Sequence, residues 1–205
     1  MTTRLLPYGP GGWLVELDGH DVIGYAAALR AIAHRGVAEV VPGARTVLVR
    51  VTERGVLEDV GRMLTDVVPV PVAATAAQQL VEIPVTYDGE DLDAVAAATG
   101  LSPDDVIGRH AAATYTCAFC GFAPGFAYLV GLDPALQLPR RATPRTRVPG
   151  GSVAIAAEYS AVYPSSSPGG WHVIGRSSLA LWDPLRERAA LVEPGTTVRF
   201  VPVGR

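Results

Sequence analysis

No lysine occurs anywhere in this chain: all 17 basic residues among its 205 are arginine. A Walker A phosphate loop, a Schiff-base enzyme and a Ser–Lys catalytic pair each need a lysine amine, so none can be complete within this polypeptide. The Gly-x-Ser-x-Gly elbow of α/β-hydrolases is also missing. No apolar run approaches the roughly 18 residues of a membrane span. The opening MTTRLLPYG carries no long apolar stretch of the secretory kind. These features point to a cytoplasmic protein with no membrane partner. A net charge of −3 argues against a nucleic-acid binder, which usually carries a basic excess. With 49% hydrophobic and 18% charged residues the chain is globular.

Cysteine is nearly absent too. Cys117 and Cys120 stand three apart in TYTCAFCGF, which reads as a strand. Redox C-x-x-C motifs sit at helix starts, where the dipole favours the thiolate. On a regular strand residues three apart point to opposite faces, too far apart to bridge. Zinc would need two further ligands, and there is no second C-x-x-C. The expectation is a structural pair and no metal site.

What is present suggests two domains. Leu5 and Leu6, then Trp13, Val15 and Leu17, predict a hairpin around a Gly/Pro turn. Val22, Tyr25, Ala26, Leu29, Ile32 and Ala33 share a helical face, with Gly36 as its stop. Val37–Val41 and Thr46–Val51 predict a second hairpin, and 55–68 a second helix. The order β-β-α-β-β-α makes a small α/β domain over residues 1–79, ending in a linker of Pro69, Pro71 and an alanine-rich stretch to Gln79. Residues 80–205 open with a strand at 80–86 and a short helix from Asp91 to Thr99, stopped by Gly100. A second helix starts at Ser102-Pro103-Asp104-Asp105. His110 closes it, as a cation suited to the dipole. Short strands then recur between Gly/Pro turns at 114–122, 152–157, 160–163, 171–175, 179–183 and 196–203, which suggests a β-barrel or sandwich. The fold class is α+β.

Three Gly/Pro-rich segments could carry chemistry: Gly121–Leu132, Pro139–Ile155 and Tyr163–Arg176. Gly169 and Gly170 could form an anion-binding nest of N–H groups or a tight barrel corner. Arg140, Arg141, Arg145 and Arg147 fall within eight residues; such forks suit carboxylates and phosphates, or line a solvated loop. His172, Ile174 and Arg176 share one strand face, opposite Trp171 and Val173. With Ser152 near them, His172 and Arg176 are candidates for acid–base and charge-stabilising roles, against a structural histidine. Phe122, Phe126, Tyr128 and Tyr163 could wall a pocket or fill a barrel.

Together GFAPGFAYL, PRRATPRTRVPGGSVAI and YPSSSPGGWHVIGR resemble the hallmark runs of the KipI/PxpB family, also labelled allophanate hydrolase subunit 1. The likeness is close over 82–202 and looser before. It implies a cyclophilin-like β-barrel after a small α/β domain. It implies a partner of the PxpC, or allophanate hydrolase subunit 2, type completing a shared active site. With a third, PxpA-type subunit, such proteins form an ATP-dependent 5-oxoprolinase, which opens 5-oxo-L-proline to L-glutamate with ATP and Mg²⁺. On that reading Arg145, Arg147 and Arg176 are charge clamps, and His172 and Ser152 stand at the chemistry. Gly125, Phe126, Tyr128, Tyr163, Gly169, Gly170 and Trp171 shape the pocket. KipI-type members instead bind a histidine kinase and block its autophosphorylation, and barrel shape alone raises prolyl isomerase activity. An amidase-type allophanate hydrolase would need the missing lysine. The chain departs from the family at Ala127, Ala161 and Ser178, where the family usually has proline, glycine and proline. Ala161 and Ser178 are where a reshaped pocket is expected.

Overall fold

The structure is a computed structural model that describes residues 3–17, 21–70 and 80–204. The chain divides into two compact units at Gln78 and Gln79. His20 and the expected linker from Pro71 to Gln79 lie outside the described residues.

In the first unit β1 (Thr3–Pro7) and β2 (Gly12–Leu17) form a hairpin. α1 (Val22–Ile32), β3 (Val37–Pro42), β4 (Thr46–Val51) and α2 (Leu57–Thr65) follow, in the anticipated β-β-α-β-β-α order. The strands lie as β1-β2-β4-β3. Strand alternation sends Val15, Leu17, Val47 and Val49 to one face. There they meet Tyr25, Leu29, Val60 and Leu64 of the two helices. Two helix limits differ from expectation. α1 stops at Ala33, which takes a left-handed φ of 49°, before Gly36 is reached. His34 Nδ1 accepts the Gly36 N–H at 3.0 Å, so a side chain rather than a glycine turns the chain into β3. α2 begins only after a 3-10 turn at Arg54–Val56 and ends at Thr65.

The second unit contains β5 (Leu80–Val85), α3 (Leu92–Thr99), α4 (Pro103–Ala112), β6 (Tyr115–Cys120), β7 (Ala127–Val130) and β8 (Arg145–Val148). It continues with β9 (Ser152–Ala156), β10 (Tyr159–Val162), β11 (Ser167–Gly169), β12 (His172–Arg176) and β13 (Thr197–Pro202). Seven strands form one sheet in the order β12-β9-β10-β7-β6-β13-β5, and β8 with β11 forms a separate ribbon. Just beyond β5, Thr86 exchanges backbone hydrogen bonds of 2.9 and 2.8 Å with Arg176 at the end of β12. First and last strands therefore meet, and the sheet curls into a nearly closed barrel, giving the α+β architecture the sequence suggested. α3 ends on Gly100, and α4 starts on a Ser102–Asp105 capping box.

Neighbouring strand residues divide between two cores, as a period of two requires. Val153, Ile155 and Ile174 pack with Val95 of α3 and Val106 of α4. Ala154, Ala156 and Val173 pack with Phe126, Tyr163 and Trp171 on the opposite face.

Several expectations are corrected. His110 is not a cation at a helix end. It is wholly buried, and desolvation pushes its pKa down to about 3, so it is neutral. Its Nδ1 bonds the Tyr87 hydroxyl at 2.7 Å and its Nε2 the Ser160 hydroxyl at 2.8 Å. The segment 179–183 is not a strand; only an isolated Trp182–Ala190 pairing occurs there. β7, β8 and β11 were not anticipated, being three or four residues long beside glycine and proline. Cys117 and Cys120 do not point apart, because β6 carries a bulge between Cys117 and Phe119, and their sulfurs lie 3.9 Å from each other. No helix among the described residues is long and apolar enough to cross a membrane.

Candidate functional site

The turn that joins β6 to β7 builds one wall of a cleft. Its backbone closes on itself through Phe126 N–H to Ala123 O at 3.0 Å and Gly121 N–H to Phe126 O at 3.2 Å. Gly125 sits at φ 82°, where an added Cβ would come within 2.7 Å of the Trp182 Cβ, so only glycine fits. Phe122 takes φ 69°, a conformation rare for a bulky side chain. It stays 63% exposed, so burial does not explain the strain.

Aromatic rings continue the wall. Phe126 meets Tyr163 and Trp171 edge-on at centroid distances of 5.3 and 5.6 Å. Tyr128 stacks on Phe119 at 4.2 Å and meets Trp171 at 5.6 Å. Such edge-to-face pairs are rigid and favourable. The other side comes from β11 and the step into β12. A Cβ on Gly169 would collide with the Tyr163 hydroxyl, so the glycine lets this strand close over the ring. Between them lies a small open cleft of about 70 Å³, lined by Phe122, Phe126, Tyr128, Arg140, Tyr163, Pro168, Gly169, Gly170 and Trp171.

Arg140 is the cation of this cleft. It is exposed. Unlike Arg141 and Arg145 it enters no ion pair among the described residues. Burial pushes the hydroxyl pKa of Tyr128 and of Tyr163 upward, and the positive charge of Arg140 opposes that rise in both.

Arg141 and Arg145 are committed elsewhere. Asp91, 2% exposed, stands at the N-terminal boundary of α3, but its carboxylate accepts no hydrogen bond from that helix. Arg145 donates to its two carboxylate oxygens at 2.7 and 2.8 Å, the Val173 N–H donates at 2.7 Å, and Arg141 completes the cluster. Burial raises the Asp91 pKa, but the hydrogen bonds from Arg145 and Val173 and the charges of Arg145 and Arg141 outweigh it and hold the carboxyl below its ordinary value. The Arg141 N–H donates to Gly170 O at 2.8 Å. The buried carboxylate thus pins the 139–145 loop against the start of β12, beside Trp171.

Of the candidates, Phe126, Tyr128, Tyr163, Gly169, Gly170 and Trp171 line this one cleft, and Gly125 shapes the turn behind them. The remaining candidates stand apart from this lining. Trp171 and Val173 face the cleft cluster, whereas Ile174 faces the larger core. His172 Nε2 bonds Pro139 O at 2.9 Å. A carbonyl only accepts, so Nε2 carries the proton and His172 tethers the 139–145 loop. Arg176 pairs at 2.8 Å with Asp88 in an exposed ion pair, Arg147 bonds Ser166, and Ser152 is buried in β9. Gly169 pairs with Arg145 in the β8–β11 ribbon, and Gly170 O accepts the Arg141 N–H. Sequence reasoning left Asp91 out of the site and named Arg140 only as one of four clustered arginines, whereas Phe122 was among the aromatics expected to wall a pocket. Asp91 had no local signal beyond that of a helix start. Among the described residues no cluster of three His, Cys, Asp or Glu could hold a metal ion.

The family model for "Carboxyltransferase domain, subdomain C and D" matches residues 3–192, a span that includes every cleft residue. The 5-oxoprolinase B-subunit of Escherichia coli O157:H7 is 42% identical over 180 residues, covering 85% of this chain and 82% of that protein. The chain belongs to the 5-oxoprolinase B-subunit family. The member of that family from Bacillus subtilis (strain 168) is 43% identical over 129 residues, 62% of this chain and 54% of its own length. Among solved structures, TTHA0988 superposes with a TM-score of 0.81 at 33% identity, over 100% of this chain and 41% of that longer one. This family relationship is the one the three hallmark segments implied.

Proposed function

We propose that this chain is a non-autonomous subunit of an ATP-dependent 5-oxoprolinase-type complex that opens 5-oxo-L-proline to L-glutamate. The observation that carries the reading is the Arg140 cleft, in a chain 42% identical to a 5-oxoprolinase B-subunit. A small lactam acid has a flat ring and one carboxylate. Rigid aromatic walls suit the ring, and an unpaired guanidinium suits the carboxylate. The cleft, at about 70 Å³, holds only part of such a molecule. We assign its cover to a partner of the PxpC or allophanate hydrolase subunit 2 type, with a PxpA-type subunit completing the complex.

The residues of this cleft do not fit a nucleotide triphosphate with Mg²⁺. There is no lysine, the neighbouring Arg141 and Arg145 are engaged by Asp91 and Glu90, and Arg176 is held by Asp88. Nucleotide binding therefore falls to the partner subunits. This chain binds and orients: Arg140 draws the carboxylate in, Phe126 and Trp171 set the ring plane, and the Asp91 cluster fixes the loop that carries Arg140. Orientation of this kind lowers a barrier by removing freedom before reaction.

The test is co-purification with the partner subunits, followed by nucleotide-dependent release of glutamate from 5-oxoproline. Release is expected only from the assembled complex. Turnover by the purified single chain refutes the shared site. A chain that captures a histidine kinase but neither partner subunit supports the KipI-type reading instead.

A further inference from the structure

Cys117 and Cys120 are the only cysteines of the chain, and both are free. The bulge in β6 pairs Cys117 with Leu129, Phe119 with Tyr128 and Cys120 with Ala127. Ala118 is thereby taken out of the alternation, and both sulfurs turn to the same side. Their 3.9 Å separation is a contact between thiols. Cys117 is fully buried, whereas Cys120 is half-buried and its Sγ reaches Val192 O at 3.5 Å.

We propose that Cys117 and Cys120 are a redox-reactive dithiol, which low-molecular-weight disulfides such as oxidised glutathione convert to an intramolecular disulfide. Cys120 is the entry point because it is the less buried of the two residues. The hydrogen bond from Cys117 lowers its pKa against burial, while the same bond and burial hold Cys117 up. The Cys120 thiolate attacks one sulfur of the glutathione disulfide, forming a mixed disulfide and expelling one glutathione thiolate. The expelled thiolate takes a proton. Cys117 gives up its proton and displaces the second glutathione from Cys120. One glutathione disulfide is reduced to two glutathiones, and two cysteine thiols are oxidised to one disulfide, with their protons passing to the released thiols. The sulfurs need only close to about 2.05 Å, a shift the irregular bulge can absorb. The bond would pin the strand end that leads into Gly121 and Phe122.

The test exposes the reduced full chain to oxidised glutathione and reads intact mass and maleimide labelling after denaturation. The expected product has lost two hydrogens, carries no glutathione, takes up no maleimide and is restored by dithiothreitol. Cys117→Ala is expected to trap glutathione on Cys120, and Cys120→Ala to leave Cys117 unmodified. Two free thiols after treatment, a stable glutathione adduct on the unsubstituted chain, or equal modification of the two variants overturns the proposal. If Cys117→Ala does not fold, the mass of the unsubstituted chain decides alone.

Discussion

Arg145 grips the Asp91 carboxylate in a two-point fork, at 2.7 and 2.8 Å, across 54 residues of sequence. The pair is buried on the Asp91 side, and the Val173 N–H binds the same group. Removing one partner of a buried ion pair strands the other charge, which costs about 3–5 kcal/mol. Asp91→Asn is therefore expected to lower stability by up to about that amount in urea denaturation at pH 7, less what the remaining Arg145–Glu90 pair at 2.9 Å compensates. The sign of its pH dependence follows from the depressed folded pKa. The contribution is complete above the unfolded value of about 3.9 and is lost as pH falls through the lower folded value. The gap between the unsubstituted chain and Asp91→Asn should narrow only in that acid range. A gap that is the same at pH 7 and pH 2.5 contradicts the assignment.

Arg140 and Arg147 test the cleft as a pair. Both are exposed, so neither replacement by alanine should move stability by more than about 0.5 kcal/mol. They differ in surroundings, since Arg140 lines the cleft and Arg147 bonds Ser166 outside it. Loss of a charge-assisted hydrogen bond to a carboxylate costs about 1.5–3 kcal/mol, or roughly 10- to 150-fold in affinity. In the assembled complex Arg140→Ala is expected to raise the KM for 5-oxoproline by that factor, with kcat little changed. Arg147→Ala should leave both near their starting values. Equal effects from the two variants would remove Arg140 from substrate binding.

Phe122 carries backbone strain that folding alone does not need. Its φ of 69° suits glycine, and its ring is mostly exposed. Strain of this kind costs on the order of 1–3 kcal/mol and clusters at functional sites. Phe122→Gly relieves it while losing the edge contact to Phe126 at 5.3 Å. The variant is expected to be as stable as the parent or more so by about 1 kcal/mol, yet to lose activity in the complex or affinity for the partner. A destabilised but fully active variant would make Phe122 a packing residue.

What could be read from the sequence was local, and what could not was long-range. Gly100 after α3 and Ser102 before α4 sit within one turn of the helix ends they define, so periodicity and caps located both helices. The aromatic members of the cleft announced themselves because Phe126, Tyr163 and Trp171 each lie in a Gly/Pro-rich segment that constrains the backbone around it. The Asp91–Arg145 fork had no such signal. Asp91 looked like the start of a short helix, and nothing nearby said which of four clustered arginines it would take. It takes Arg141 and Arg145 and leaves Arg140 outside the cluster, while Arg176 pairs separately with Asp88. The Cys117–Cys120 contact was hidden for a related reason. A one-residue bulge reverses the facing of everything beyond it, and alternation cannot reveal it.

His110 supplies a pH dependence at milder acidity. Its ring is wholly buried between Tyr87 and Ser160, and its pKa is pushed down to about 3. Unfolded histidine takes up a proton near pH 6.5, so below that value the unfolded chain is favoured by proton binding that the folded chain refuses. Stability should fall by about 1.4 kcal/mol for each pH unit between about 6.5 and the folded value, reaching ~3 kcal/mol by pH 4. Asp91 contributes little over pH 4.5–6.5, because its loss begins near the unfolded carboxylate value of about 3.9. The slope in that window therefore isolates His110. His110→Gln keeps an acceptor for the Tyr87 hydroxyl and a donor for Ser160, but it does not titrate. Urea midpoints of this variant are expected to stay nearly flat where those of the parent decline, so parallel declines would mean that His110 is protonated in the folded chain.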